Sequence, residues 1–178
     1  QPVVLVDADL RRPMLANIFG IVADVGLTDV LARRSTWREV SQPAHTPNLT
    51  VLAAGRIPPN PSELVGSERV NLLLHELAAE AIVILDAPPL LPVTDAAVLS
   101  RQADGAIIVV TAGKTTYDLL KRALANIEKV GGRALGVVLN RVPKRGGGYY
   151  GGHYGREYYA SAEVQAVSAV PAVTPAAG

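Results

Sequence analysis

Short unbroken runs of Val, Ile and Leu recur at residues 3–6, 50–52, 81–85, 106–110 and 135–139. Unbroken runs, unlike alternating ones, suit strands of a parallel sheet that are buried on both faces. Between them the apolar spacing becomes helical. Ser62 stands where a helix can be capped, Glu63 falls in its first turn, and Leu64, Val65, Leu72, Leu73 and Leu77 continue along it. A second helix is predicted from Thr115 or Thr116, with Leu119, Leu120, Ala123, Leu124 and Ile127 on one face and a stop at Gly131-Gly132. Residues 26–31 read as a short helix after a turn, and Trp37 as a packing residue on another. Pro43, Pro47 and Pro58-Pro59-Asn60-Pro61 mark loops. The alternation of strand and helix predicts an α/β fold, a mainly parallel sheet with helices on both faces.

Composition narrows this only slightly. The 178 residues suffice for one domain with a real core. Seventeen basic and sixteen acidic side chains leave a net charge of +1, which gives no case for a nucleic-acid partner. Cysteine is absent, so there is no disulfide framework, thiolate metal site or cysteine nucleophile. His45, His75 and His153 lack metal-ligand spacing. No apolar stretch is long enough to span a membrane. The chain opens on Gln1 and reaches a core-like strand two residues later, so it reads as a fragment incomplete at its N-terminus. After Val142 the character changes to glycine, tyrosine and then Ala/Val/Pro. The expected division is a folded portion at 1–143 and a disordered tail at 144–178.

Two of the strand-like runs end in acid. Val6-Asp7-Ala8-Asp9-Leu10-Arg11-Arg12-Pro13 places two carboxylates after the first, and Leu85-Asp86-Ala87-Pro88-Pro89 places one after another. Ligands of open α/β sheets bind outside the carboxyl ends of the strands, and three acids gathered there suit a hard cation such as Mg²⁺. The plainer alternative is that strand-end aspartates cap the next turn or helix.

These segments resemble the bacterial tyrosine kinases of the capsular and exopolysaccharide family. The run from Val6 to Pro13 looks like that family's Walker A-prime motif. Residues 84–89, continuing to Val93-Thr94-Asp95-Ala96, look like its Walker B region. Residues 26–31, 58–64 and 136–142 match its connecting segments, and the likeness extends roughly from Val3 to Tyr159. The resemblance implies a P-loop fold, the cofactors ATP and Mg²⁺, and phosphoryl transfer to tyrosine. It implies that Asp86 helps hold Mg²⁺ through its water shell, that Asp7 lies beside the metal as base for the tyrosine hydroxyl, and that Asp9 supports both. It implies an adenine contact for Asn140, and phosphate contact is one role open to Arg11.

Tyr149, Tyr150, Tyr154, Tyr158 and Tyr159 crowd into a glycine-spaced stretch, whereas the rest of the chain holds only Tyr117. The cluster resembles the family's autophosphorylation tail. Each phosphotyrosine adds about −1.5 to −2 charges, so five would bring roughly −8 to −10 and are expected to drive tails and subunits apart. A P-loop requires Gly-x-x-x-x-Gly-Lys-Ser/Thr. Gly113-Lys114-Thr115 imitates its end, but Ile108 stands where the first glycine belongs. The true loop is therefore expected upstream of Gln1, and the chain alone is expected to bind ATP weakly and to lack useful activity. The resemblance further implies a transmembrane polysaccharide co-polymerase, fused or separate, at the cytoplasmic face of the inner membrane. A homo-oligomeric ring and a tyrosine phosphatase complete the implied partners. Two rival readings are a partition- or septum-positioning-type P-loop ATPase and a non-catalytic scaffold of polysaccharide export.

Overall fold

The computed structural model describes residues 1–143, of which Gln1–Val142 form one compact unit. Strand β1 (Val3–Asp7) is followed by α1 (Leu15–Phe19), α2 (Leu27–Leu31), α3 (Trp37–Val40), β2 (Gln42–Pro43) and β3 (Leu49–Leu52). Then come α4 (Pro61–Val65), α5 (Glu68–Ala78), β4 (Ile82–Asp86), α6 (Asp95–Gln102), β5 (Ala106–Thr111), α7 (Tyr117–Lys129) and β6 (Ala134–Asn140). One sheet has the order β2-β3-β1-β4, and β5 pairs with β6 in a second. All pairings are parallel except β2 with β3. Pro43 lies in that edge strand, where a residue without an amide proton costs no internal ladder bond.

The strand β1 is central, with Val4 and Val6 buried against Leu52, Leu73, Leu77 and Leu99. Burying each such side chain stabilises the fold by roughly 1.5–3 kcal/mol. Trp37 belongs to this core, and its indole N–H donates to Glu76 Oε1 at 2.9 Å. Thr36 and Glu39 close the N-terminal turn of α3, the Thr36 amide donating to Glu39 Oε2 at 2.7 Å. Helix α7 begins where its pattern predicts, with Thr116 Oγ1 accepting from the Leu119 amide at 3.3 Å, and Ile127 points into protein. Gly131 ends it in the left-handed conformation, φ 76°.

Three expectations need correction. The helix expected to run from Ser62 through Leu77 is two helices, separated at Gly66-Ser67. Pro61, not Ser62, opens the first of them, and the Ser62 hydroxyl is engaged elsewhere. Burial on both faces holds for β3, where Val51 and Leu52 are fully buried, and in part for β1, where Val4 and Val6 are buried and Val3 and Leu5 half-buried, but not for β4, β5 and β6. Ile82 and Ile84 of β4, Ile107 and Val109 of β5, and every residue of β6 are exposed among the described residues. The unbroken apolar runs correctly mark these strands, yet nothing described covers their second face. Helices α1 and α6 carried too little periodicity to be expected at all.

Candidate active site

Parallel pairing in strict register brings the two acid-bearing strand ends together. Asp7 and Asp86 are register partners across β1 and β4, and the Ala8 amide donates to the Asp86 carbonyl at 2.8 Å. The plainer reading of strand-end aspartates is part of the picture too. Asp7 Oδ2 accepts from the amides of Met14 at 3.1 Å and Leu15 at 3.0 Å, holding the turn that opens α1.

The other oxygen is what distinguishes Asp7. The residue is wholly buried, and Oδ1 has no hydrogen-bond partner. Buried acceptors almost always find a partner, so an orphan oxygen at a ligand-binding edge fits an incoming hydroxyl or hydrated cation. Burial pushes the Asp7 carboxyl above the ordinary aspartate value. The Leu15 amide pulls it back down, and the charge of Asp86 pushes it further up. Asp86 is raised by dehydration as well, with the charge of Asp9 adding to it, although its surface is more open to solvent.

Asp9 is placed differently. Its Oδ1 accepts from the backbone amides of Arg11 at 3.1 Å and Arg12 at 3.0 Å, so the carboxylate folds back on its own loop. Among the described residues no three His, Cys, Asp or Glu side chains converge as a group able to hold a metal ion. The expected three-acid cage is thus replaced by a looser arrangement in which the acids act on one another through their charges. Such acids fit Mg²⁺ through its retained waters rather than as direct ligands.

Arg11 does not point into open solvent. Its Nε donates to Asp95 Oδ2 at 2.8 Å and its Nη2 to Ser62 Oγ at 2.7 Å, while Ser62 Oγ donates to Asp95 Oδ1 at 2.8 Å. Asp95 is buried at the start of α6, and the Arg11 hydrogen bond holds its carboxyl below the usual range against the opposing effect of burial. In the sequence Ser62 reads only as a helix cap and Asp95 only as part of the Walker B-like stretch, with no contact between either and Arg11. The partners lie 84 and 51 residues from Arg11, and no local spacing signals such a contact.

Asn140 ends β6 with its Oδ1 accepting from the Arg141 amide at 2.7 Å, and it is exposed. Lys114 sits in the turn after β5, where Thr111 O accepts from the Lys114 and Thr115 amides at 3.1 and 3.0 Å. That is a connecting turn. Tyr149, Tyr150, Tyr154, Tyr158 and Tyr159 lie outside the described residues.

No family model matches the chain. The cell division ATPase MinD of Pyrococcus furiosus superposes with a TM-score of 0.64 at 24% identity, over 80% of this chain and 61% of that one. The kinase domain of the Escherichia coli tyrosine kinase ETK superposes with a TM-score of 0.79 at 34% identity, over 86% of this chain and 61% of that one. The fold is therefore the α/β fold of the P-loop NTPases. Within that class, the tyrosine-protein kinase YwqD of Bacillus subtilis is 39% identical over 155 residues, 85% of this chain and 65% of that protein. The putative tyrosine-protein kinase CapB of Staphylococcus aureus is 34% identical over 157 residues, 86% of this chain and 68% of that protein. The chain belongs to the bacterial tyrosine-protein kinase family, and it spans about two thirds of the length of these two relatives.

Proposed function

We propose that this chain is the acid-bearing portion of a protein-tyrosine kinase that transfers a phosphoryl group from ATP to tyrosine. The observation that carries this reading is the register pairing of Asp7 with Asp86, with one buried Asp7 oxygen unpartnered. A carboxylate made more basic by burial is a better acceptor for the tyrosine hydroxyl proton. Asp7 takes that role, Asp86 and Asp9 supply negative charge beside it, and the acids fit Mg²⁺ held through water. Bound Mg²⁺ would neutralise charge on the phosphates. Asn140 at the end of β6 remains the candidate adenine contact. The engagement of Arg11 by Asp95 and Ser62 favours a structural duty for it over direct phosphate contact.

The sequence contains no Gly-x-x-x-x-Gly-Lys-Ser/Thr, so these residues supply the metal side of a nucleotide site and not its phosphate cradle. We assign the phosphate-accepting role to the tyrosine-rich stretch at 149–159. We place the whole protein at the cytoplasmic face of a bacterial inner membrane, acting with a transmembrane polysaccharide co-polymerase in capsule or exopolysaccharide synthesis. It would assemble there as a ring, and a tyrosine phosphatase would reverse its phosphorylation. No helix among the described residues is long and apolar enough to cross a membrane. The likeness to MinD shares the fold alone.

The test is a phosphotyrosine blot of the full-length protein with an Asp7→Asn control. Signal in the wild type that the variant loses supports the kinase reading. ATP hydrolysis without phosphotyrosine favours the partition-type ATPase, and neither activity favours a scaffold.

A further inference from the structure

Arg11 is a long cation carried only two residues beyond Asp9, on the loop that follows Asp7 at the end of β1, at the edge where Asp86 also stands. Left free, its guanidinium would be a natural partner for those carboxylates, because bidentate Arg–carboxylate pairing is among the strongest side-chain contacts. It is instead turned toward α4 and α6. Asp95, with only 2% of its side chain exposed, receives Nε at 2.8 Å and also accepts from Ser62, while Ser62 in turn accepts from Nη2. The pair is electrically closed. One cation meets one anion, and a hydroxyl links both.

We propose that Asp95 and Ser62 form a holding site for the Arg11 guanidinium, keeping it out of ion pairs with Asp7, Asp9 and Asp86 so that their carboxylates are left for a divalent cation. Two independent features agree with it. Asp7 Oδ1 is buried and unpartnered although a guanidinium is carried on the loop that directly follows it. The Asp9 carboxylate takes the Arg11 backbone amide, not its side chain. Asp95 is thus a positioning residue: it acts on the site through Arg11 and touches no reacting atom. The inference deepens the kinase reading, but it concerns cation binding and is tested apart from phosphoryl transfer.

Mn²⁺ titrated into the full-length protein, followed by its electron paramagnetic resonance signal, reads the effect directly. Asp95→Asn frees the guanidinium and is expected to weaken Mn²⁺ binding by about three- to tenfold, the effect of one added positive charge on a divalent cation about 6–12 Å away with the dielectric of water between them. The double variant Arg11→Gln/Asp95→Asn is expected to recover wild-type affinity. A merely structural clamp predicts the opposite, with the double variant as impaired as the single one, and that result would overturn the proposal. So would unchanged affinity in Asp95→Asn, or no Mn²⁺ binding by the wild type. If Asp95→Asn does not fold, Ser62→Ala decides from an exposed position. It is expected to weaken binding about twofold, and no change there overturns the inference. Phosphotyrosine on the wild type is scored separately, so failure of the kinase reading is distinguishable from failure of the clamp.

Discussion

Asp7 and Asp86 face each other as register partners at the carboxyl ends of adjacent parallel strands, tied by the Ala8 amide on the Asp86 carbonyl at 2.8 Å. Asp7 and Asp86 end strands β1 and β4, which are separated in the chain by five helices and two strands, so only the sheet makes these acids neighbours. Their separate burdens, burial for Asp7 and dehydration plus the Asp9 charge for Asp86, push both carboxyls upward.

Loss of the proposed base gives the first expectation. Asp7→Asn should lower tyrosine phosphorylation by the full-length protein about 10²- to 10⁴-fold, the usual contribution of a positioned general base. An Asn carbonyl still accepts from the Met14 and Leu15 amides, so circular dichroism should show a folded variant. Wild-type phosphorylation by a folded Asp7→Asn protein would remove Asp7 from the mechanism.

The upward displacement of Asp86 carries a stability consequence of known sign. A carboxyl whose pKa is higher folded than unfolded contributes stability below the unfolded value, near 3.8, and that contribution is lost as pH rises through the folded value. Asp86→Asn should therefore raise the thermal midpoint slightly at pH 7, the gain shrinking as pH falls toward 4. Asp95 behaves oppositely. Its carboxyl is held low by Arg11, so its contribution is present above about 3.8 and fades as pH falls through the folded value. Thermal melts of both variants across pH 3–7 check the two slopes.

Close backbone approach makes Gly26 irreplaceable. A Cβ there would lie 2.7 Å from the Ala53 carbonyl carbon and from the Gly55 amide nitrogen, both backbone atoms that cannot swing aside. The same approach lets Leu27 and Thr28 amides donate to Ala53 and Ala54 at 2.8 and 3.0 Å. Gly26→Ala should cost about 3 kcal/mol, at the upper end of overpacking penalties, measured by urea unfolding.

Within α5, two leucines separate core from surface. Leu77 is fully buried and Leu72 is 58% exposed. Leu77→Ala should cost roughly 2–5 kcal/mol, whereas Leu72→Ala should stay within about 0.5 kcal/mol. Equal losses would contradict the packing described for this helix.

Replacing Tyr149, Tyr150, Tyr154, Tyr158 and Tyr159 together by Phe removes the proposed acceptors. The variant should lose most phosphotyrosine signal and should remain assembled under conditions that dissociate the wild type, as read by light scattering. Identical assembly and dissociation of the two proteins would defeat the charge-repulsion idea.

Much of this molecule is written locally. Unbroken apolar runs mark β1, β3, β4, β5 and β6, because a strand's apolar character is carried by its own side chains. Thr116 and Gly131 bound α7 through hydrogen bonds and backbone freedom confined to a few residues. The acids at the ends of β1 and β4, and the family resemblance they carry, are likewise properties of short segments. What the tertiary structure decided is which of those groups meet. It split the expected long helix at Gly66-Ser67 and left one face of β4 and β5, and all of β6, uncovered among the described residues. It turned Asp9 onto its own loop, left Asp7 Oδ1 without a partner, and delivered Arg11 to Asp95 across 84 residues. Local spacing governs secondary structure because those forces act within a turn or two. Side-chain partners at a sheet edge depend on strand order and register, which no single segment contains.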